Sequence, residues 1–327
     1  MPDAAPPMFT PVNLVTGFLG SGKTTLLQRL LADPALADTA VLINELGEVG
    51  LDHHLLGRID DTMVLLPSGC VCCTIRGELS EAIKDLHSRR ERGEMPSFRR
   101  LVVESTGLAD PFPILSTVQA DPVLRHHFRL GNVVTTIDAV NGLGRPESLK
   151  QVAVADRLVL TKTDLKPETE ALLAEVRRLN PDAPLWRIPE QSIEAAWLFD
   201  DTTRPALHAV PAVPDGAHGS VQSFALIFDG ALDWTRFGIW LTMLLNRHGE
   251  KVLRVKGILN VAGTETPVAV HGVQHLVHPP VHMTAWPDDD RRSRLVFIVD
   301  GLERTAIERS LGAFLGSPRP AKAAAVA

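Results

Sequence analysis

Cysteine is scarce in this 327-residue chain: there are three, and all of them fall between residues 70 and 73. That distribution is no disulfide framework. Long basic blocks are missing too. With 33 Lys and Arg against 39 Asp and Glu, and a net charge of −6, the composition offers no footprint for nucleic acid. No apolar run reaches the length of a membrane span. The first residues, Met1 to Pro11, carry an acid and several prolines where a secretory signal would need positive charge and an apolar centre. Together these absences predict an ordinary folded protein of the cytoplasm, with neither nucleic acid nor membrane as a partner. No internal repeat is present. Residues 1–10 are expected to be a disordered lead and the alanine-rich residues 318–327 a disordered tail. What is abundant is hydrophobic residues, 45% of the chain, enough for two cores.

The chain is organised around VNLVTGFLGSGKTTLL, residues 12–27. An apolar strand-like run (Val12, Leu14, Val15) breaks into glycines and then resumes with helical character at Thr25, Leu26 and Leu27. That is the setting a phosphate-binding loop requires. Gly17, Gly20 and Gly22 let the backbone turn its N–H groups inward around a polyphosphate, with Ser21 between them and Thr25 in the first helical turn. Lys23 is expected to reach the β and γ phosphates, and Thr24 to supply a hydroxyl to Mg²⁺.

Further apolar strands follow at intervals, each ending in a polar loop. Residues 40–43 run into Asn44-Glu45-Leu46-Gly47-Glu48, and residues 63–66 deliver the chain to Cys70-Val71-Cys72-Cys73. Three thiols in four residues are a poor use of cysteine for packing. Cys72 and Cys73, as neighbours, sit closer than disulfide geometry prefers. Three thiolates on a turn suit a soft or borderline ion such as Zn²⁺, with the fourth tetrahedral position open to Glu45, Glu48, His53, His54 or water. The candidate zinc set carried forward is Cys70, Cys72, Cys73 and Glu48. Residues 78–90 read as an amphipathic helix with Leu79, Ile83 and Leu86 on its buried face.

The strand Arg100 to Val103 ends in Glu104-Ser105-Thr106-Gly107. Glu104 is expected beside the first strand, facing Mg²⁺, and Gly107 can offer its N–H to a γ-phosphate without a side chain in the way. A later strand, residues 157–160, runs into Thr161-Lys162-Thr163-Asp164. A carboxylate there accepts from both N1–H and the N2 amino group of guanine, which adenine cannot match, while the Lys162 stem lies along the base. Thr161 stands where such motifs usually carry Asn. The alternation of strand and helix predicts an α/β domain over residues 11–200, a mostly parallel sheet with helices on both faces. A proline-rich linker is expected at 201–220. A smaller α+β domain should follow at 221–317, with strands near 222–228, 253–261, 267–273 and 295–299 and helices at 233–248 and 303–314. His271, His275, His278 and His282 crowd this second domain. Taken as one continuing strand, His271 and His275 share a face and His278 points away, so scattered surface histidines are favoured over a second metal site.

GFLGSGKTT, NELGEVGLD, GCVCC, ESTGLADP and TKTD, in that order, resemble the CobW-like family of P-loop GTPases, relatives of HypB and UreG. The likeness extends to RVKGILNV and RLVFIVDGL in the second domain. It implies a GTPase that holds zinc or a related metal at its Cys-x-Cys-Cys motif and passes it to a client metalloprotein as GTP is hydrolysed to GDP; with Mg²⁺ at the phosphates, the chain is expected to act as a monomer or weak homo-oligomer. Within it Lys23, Glu104 and Gly107 are the candidate catalytic residues. Gly20, Ser21, Gly22, Lys23, Thr24, Thr25, Thr161, Lys162 and Asp164 form the candidate nucleotide site. A zinc-dependent GTP-binding scaffold and a P-loop small-molecule kinase are the rival readings.

Overall fold

The computed structural model describes residues 9–43, 63–65, 74–188, 193, 195–199, 216–218 and 220–316. Two compact units divide the chain: one holds residues 1–151, 155–169 and 184–204, the other 152–154, 170–183 and 205–327.

The elements in the first part of the chain are β1 (Thr10–Gly17), α1 (Lys23–Leu31), β2 (Thr39–Ile43), β3 (Met63–Leu65), α2 (Thr74–Glu91), β4 (Arg100–Glu104), α3 (Phe112–Ala120), α4 (Leu124–His127), β5 (Phe128–Asp138), α5 (Pro146–Val154), β6 (Arg157–Thr161), α6 (Glu170–Leu179), β7 (Leu185–Arg187) and α7 (Ala195–Phe199). Seven strands form one sheet in the order β3-β2-β4-β1-β5-β6-β7, and every neighbouring pair runs parallel. Strands β2 and β6 are buried at every position, and β4 at all but its first. Burial on both faces is why they read as unbroken apolar runs. From β1 the chain moves out to β2 and β3, returns to place β4 beside β1, then passes to the far side of β1 for β5. The reversal lies at β1 and β4, so the ligand crevice opens over their carboxyl ends.

Val15, Val41, Val102, Val134 and Val159 line one face of this sheet, against Leu26, Leu27 and Leu30 of α1 and Leu198 and Phe199 of α7. The spacing of the α1 residues puts all three on one side of the helix. Helix α2 starts at Thr74, four residues ahead of the helix expected from Glu78, and Leu79, Ile83 and Leu86 form its buried stripe as the periodicity requires. The chain has five tryptophans and no tyrosine. Two of them, Trp186 and Trp197, have ring centroids 3.6 Å apart, and the buried guanidinium of Arg157 lies 4.0 Å from the Trp197 ring.

The second unit is an antiparallel sheet: β8 (Gly216–His218), β9 (Val221–Phe228), β10 (Val252–Leu259), β11 (Val268–Val273), β12 (Leu276–Val277), β13 (Val281–His282) and β14 (Ser293–Asp300), in the order β12-β11-β10-β14-β9-β8 with β13 on β11. Helices α8 (Trp234–His248) and α9 (Arg304–Leu315) pack with it, and α6 also falls in this unit, although the sequence pattern places residues 11–200 in the first domain. Strand β9 buries Phe224, Leu226 and Phe228 in a core shared with Phe237, Trp240, Leu241, Leu244 and Leu245 of α8 and Ile307 and Leu311 of α9. Asp233 caps α8, accepting from the Arg236 N–H at 2.8 Å. Gly249 ends that helix in right-handed conformation. It is required for space, since a β-carbon there would overlap His275 and the Leu245 carbonyl.

Two expectations need correcting. Residues 216–218, inside the expected linker, form β8 and pair with β9; residues 201–215 lie outside the described segments. The stretch from His271 to His278 is not one strand but a hairpin, reversing at Gln274, whose φ is 50°. His271 and His278 therefore face each other, rings stacked at 4.3 Å and 5° from parallel. Imidazole lone pairs lie in the ring plane, so two face-stacked rings do not aim at a common ion. Among the described residues no group of three or more His, Cys, Asp or Glu could hold a metal.

Candidate functional site

The loop after β1 has the form its glycines impose. Gly17, Gly20 and Gly22 have φ of 142°, 71° and 87°, values that side chains with a β-carbon rarely adopt. Gly17 also has no room for one, because it would overlap the Thr136 hydroxyl and carbonyl. Gly22 is the N-cap of α1 and no side chain caps that helix, so its first N–H groups are left for a ligand in the loop. Lys23 is 8% exposed, and its ammonium donates to the carbonyls of Gly17 (3.0 Å) and Phe18 (3.2 Å). A buried cation cradled by the loop's own carbonyls lies where phosphate oxygens would compete for it. Gly20 and Thr25 are exposed. The Ser21 side chain turns inward, 2.6 Å from the Thr136 hydroxyl, so only its backbone is available to a ligand.

Parallel pairing of β1 with β4, Val15 opposite Glu104, brings the two strand ends side by side. The Thr24 hydroxyl donates to Glu104 Oε1 at 2.7 Å, joining residues 80 apart in sequence. Glu104 is 2% exposed. A hydroxyl and a carboxylate at this separation are hard oxygen donors of the kind Mg²⁺ takes, so the donor set fits that ion. Gly107 packs on the tip of the phosphate loop: a β-carbon there would come under 3.0 Å from the backbone N and Cα of Leu19. Its glycine identity is thus imposed by close approach between the turn after β4 and the loop after β1.

On the other side of the crevice, the Thr161 hydroxyl donates toward the Ser21 carbonyl (2.8 Å) and lies 3.2 Å from that of Ile137. Thr161 thus braces the phosphate loop with the side chain it has. Lys162 takes a left-handed conformation, φ 59°, and its ammonium sits 2.6 Å from Asp138 Oδ2. Asp164 is exposed, in the middle of the following turn. Asp138 escaped the sequence reading, although it ends an apolar strand just as Glu104 does. Its carboxylate accepts from Lys162, from the Asn141 side chain and from the Val140 N–H, the last two at 2.8 Å. Burial alone would raise this carboxyl, but these donors outweigh it and hold it below the usual carboxylate range. Glu48, Cys70, Cys72 and Cys73, with the alternatives Glu45, His53 and His54, lie outside the described residues.

The CobW/HypB/UreG nucleotide-binding domain profile matches residues 11–187, more than half of the chain, and the cobalamin synthesis protein cobW C-terminal domain profile matches residues 221–315. The chain belongs to the CobW/HypB/UreG family. Its CobW-type sequence is 33% identical to the zinc chaperone YjiA of Escherichia coli (strain K12) over 301 residues, 88% of this chain and 93% of that one. The zinc chaperone CobW of Pseudomonas aeruginosa is 27% identical, over 92% of this chain and 90% of its own. The crystal structure of Zn(II)-bound YjiA GTPase from E. coli matches with a TM-score of 0.72 at 28% identity, covering 94% of this CobW-family chain and 99% of that one. The fold is the same, a parallel α/β sheet followed by an antiparallel α+β unit.

Proposed function

We propose that this protein is a GTP-hydrolysing metallochaperone that binds zinc, or a related divalent ion, at Cys70, Cys72 and Cys73 with Glu48, and delivers it to a client metalloprotein. The observation that carries the GTPase half is the 2.7 Å contact between Thr24 and Glu104 beside the buried ammonium of Lys23. Two hard oxygens and one cation, set over the carboxyl ends of β1 and β4, match the charge pattern of a nucleoside triphosphate with its metal. The metal half is supported by relatives named as zinc chaperones over most of the chain.

In this reading the backbone N–H groups of Gly20, Ser21, Gly22 and Lys23 surround the phosphates. Lys23 leaves the Gly17 and Phe18 carbonyls for the β and γ oxygens. Thr24 and Glu104 would hold Mg²⁺, which would neutralise charge on those oxygens. Gly107 presents backbone N–H to the γ-phosphate, and Asp164 selects guanine. Catalysis is positioning and electrostatics, with no covalent step on the protein.

The test is release of inorganic phosphate from GTP and from ATP, with Mg²⁺ and with and without zinc, together with zinc affinity by chelator competition. Lys23→Ala is expected to abolish hydrolysis and leave zinc affinity unchanged, and Cys72→Ala to weaken zinc. Phosphate transferred to an acceptor molecule would replace this reading with a kinase. Binding of GTP without turnover would replace it with a scaffold.

A further inference from the structure

Helix α5 carries a glutamine that none of the nucleotide contacts above uses. Gln151 is 1% exposed, and its side-chain amide donates to two carbonyls at once, Gly107 (3.1 Å) and Ala109 (3.3 Å). Its own carbonyl accepts from the Thr135 hydroxyl at 2.9 Å, so the residue is held from β5 while it holds the turn after β4. The side-chain oxygen, Oε1, is buried and has no hydrogen-bond partner among the described residues. Such an orphaned acceptor carries an uncompensated desolvation penalty that a leucine of similar volume would not. Packing alone therefore does not explain a glutamine here; its two donors do.

Those donors fix which way the peptides of the turn face. In a trans peptide the carbonyl and the following N–H point in opposite directions. With the Gly107 carbonyl drawn to α5, the Leu108 N–H is aimed to the side of the turn away from Gln151. The Thr106 carbonyl is likewise fixed, by the Ala109 N–H at 3.2 Å, which orients the Gly107 N–H of the same peptide. The turn is also seated on the backbone of Leu19 in the phosphate loop. Two consecutive N–H groups thus have their directions set from behind, by one side chain and one turn bond.

We propose that Gln151 is a positioning residue for the γ-phosphate: by clamping the Gly107 and Ala109 carbonyls it holds the turn so that the Leu108 N–H, beside the Gly107 N–H that the turn bond orients, is set for the terminal phosphate of a triphosphate. This rests on the GTPase reading above. It predicts that Gln151 matters for GTP and not for GDP, which has no γ-phosphate.

The experiment compares the full chain with its Gln151→Leu and Gln151→Glu variants, measuring GTP and GDP affinity, the hydrolysis rate at saturating GTP, and the thermal midpoint of the GDP complex. Gln151→Leu is expected to keep GDP affinity within about two-fold, lower GTP affinity about ten-fold and lower kcat by about ten- to a hundred-fold, in line with the loss of one or two oriented donors. In Gln151→Glu, an ionised carboxylate faces two carbonyls, and only its protonated form has a donor to offer. Burial raises that carboxyl, so its kcat relative to the parent should recover as pH is lowered from neutral toward 5.5. A purely structural role gives a different result, with GTP and GDP weakening in parallel and no relative recovery in acid, and that result overturns the proposal. Unchanged kcat and GTP-to-GDP ratio in both variants overturns it as well. If the unmodified protein binds neither nucleotide, it is the GTPase reading that fails, and the parent measurement separates the two.

Discussion

Replacing Asp138 by alanine tests how the base side of the crevice is built. The substitution removes acceptors for the Lys162 ammonium at 2.6 Å, the Asn141 amide at 2.8 Å and the Val140 N–H at 2.8 Å. Hydrogen bonds to charged groups are each worth about 1.5–3 kcal/mol when neither partner can turn to water. Here Lys162 can, since its side chain is 34% exposed, and the loss must be discounted for that screening. A second contribution comes from the backbone. Lys162 is held at φ 59°, which costs a residue with a β-carbon about 1–2 kcal/mol, and without the clamp it can relax to the right-handed region and carry its stem away from the base. The net expectation is a loss of about 1–2 kcal/mol in nucleotide binding, roughly five- to thirty-fold in affinity. In the proposed site the Lys162 stem would lie along whichever base is bound, so GTP and XTP should weaken by the same factor, with the preference for guanine retained. The assay is titration of the purified Asp138→Ala variant with fluorescent guanine and xanthine nucleotides, with circular dichroism as a check on folding. GTP affinity within two-fold of the parent in a folded variant would refute the clamp.

Three further outcomes follow from the same geometry. Asp164→Asn should move preference from guanine toward xanthine, because an amide can donate where the carboxylate only accepts, and competition between GTP and XTP reads it directly. Zinc affinity, measured against a chelator with GDP and with a non-hydrolysable GTP analogue, should differ five- to a hundred-fold between the two states, about 1–3 kcal/mol of coupling; equal affinities would remove nucleotide-driven release. Acid should destabilise the fold. Arg294 and Arg292 hold Asp288 and Asp290 low, while Asp121 and Asp138 are held low by Lys84 and Lys162 against the opposing effect of burial. Their stabilisation is fully present above the unfolded carboxylate value near 3.9 and is lost as pH falls through the lower folded values, so the urea midpoint should be flat from about pH 7 to 5 and drop below about 4. Asp182 runs the other way, raised by burial, and recovers a little stability on acidification.

The phosphate loop and the parallel strands were legible because their physics is local. Gly17, Gly20 and Gly22 adopt backbone conformations that glycine favours, and strands such as β6 are apolar because both faces are covered. Residues whose roles depend on distant partners left no such trace. Gln151 acts on carbonyls 44 and 42 positions away, and Asp138 on a lysine 24 positions away, with nothing in their immediate neighbours to mark them. The reversal at Gln274 leaves no trace for a related reason: a non-glycine residue at positive φ carries no turn signature, so sequence spacing alone runs the histidines on either side along one strand. Thr161 in place of Asn stands out in the sequence as a departure, but the reach of its hydroxyl to the Ser21 carbonyl depends on β6 lying beside β5 and the loop.

The contact between Trp186 and Trp197 gives the protein an optical signature of its own. With no tyrosine in the chain, near-ultraviolet absorption and emission come chiefly from tryptophan, and two of the five indoles have ring centroids 3.6 Å apart and planes tilted by 35°, with Arg157 against one of them. Indoles this close couple their electronic transitions and show it as a split circular-dichroism band, a signal that vanishes when the rings part. Trp186 and Trp197 belong to the unit that carries the phosphate loop, whereas Trp234, Trp240 and Trp286 belong to the other. Loss of the coupled band therefore reports unfolding of the first unit, and a red shift from buried Trp240 reports the second. The order in which the two halves of the molecule melt can be followed in one unlabelled sample.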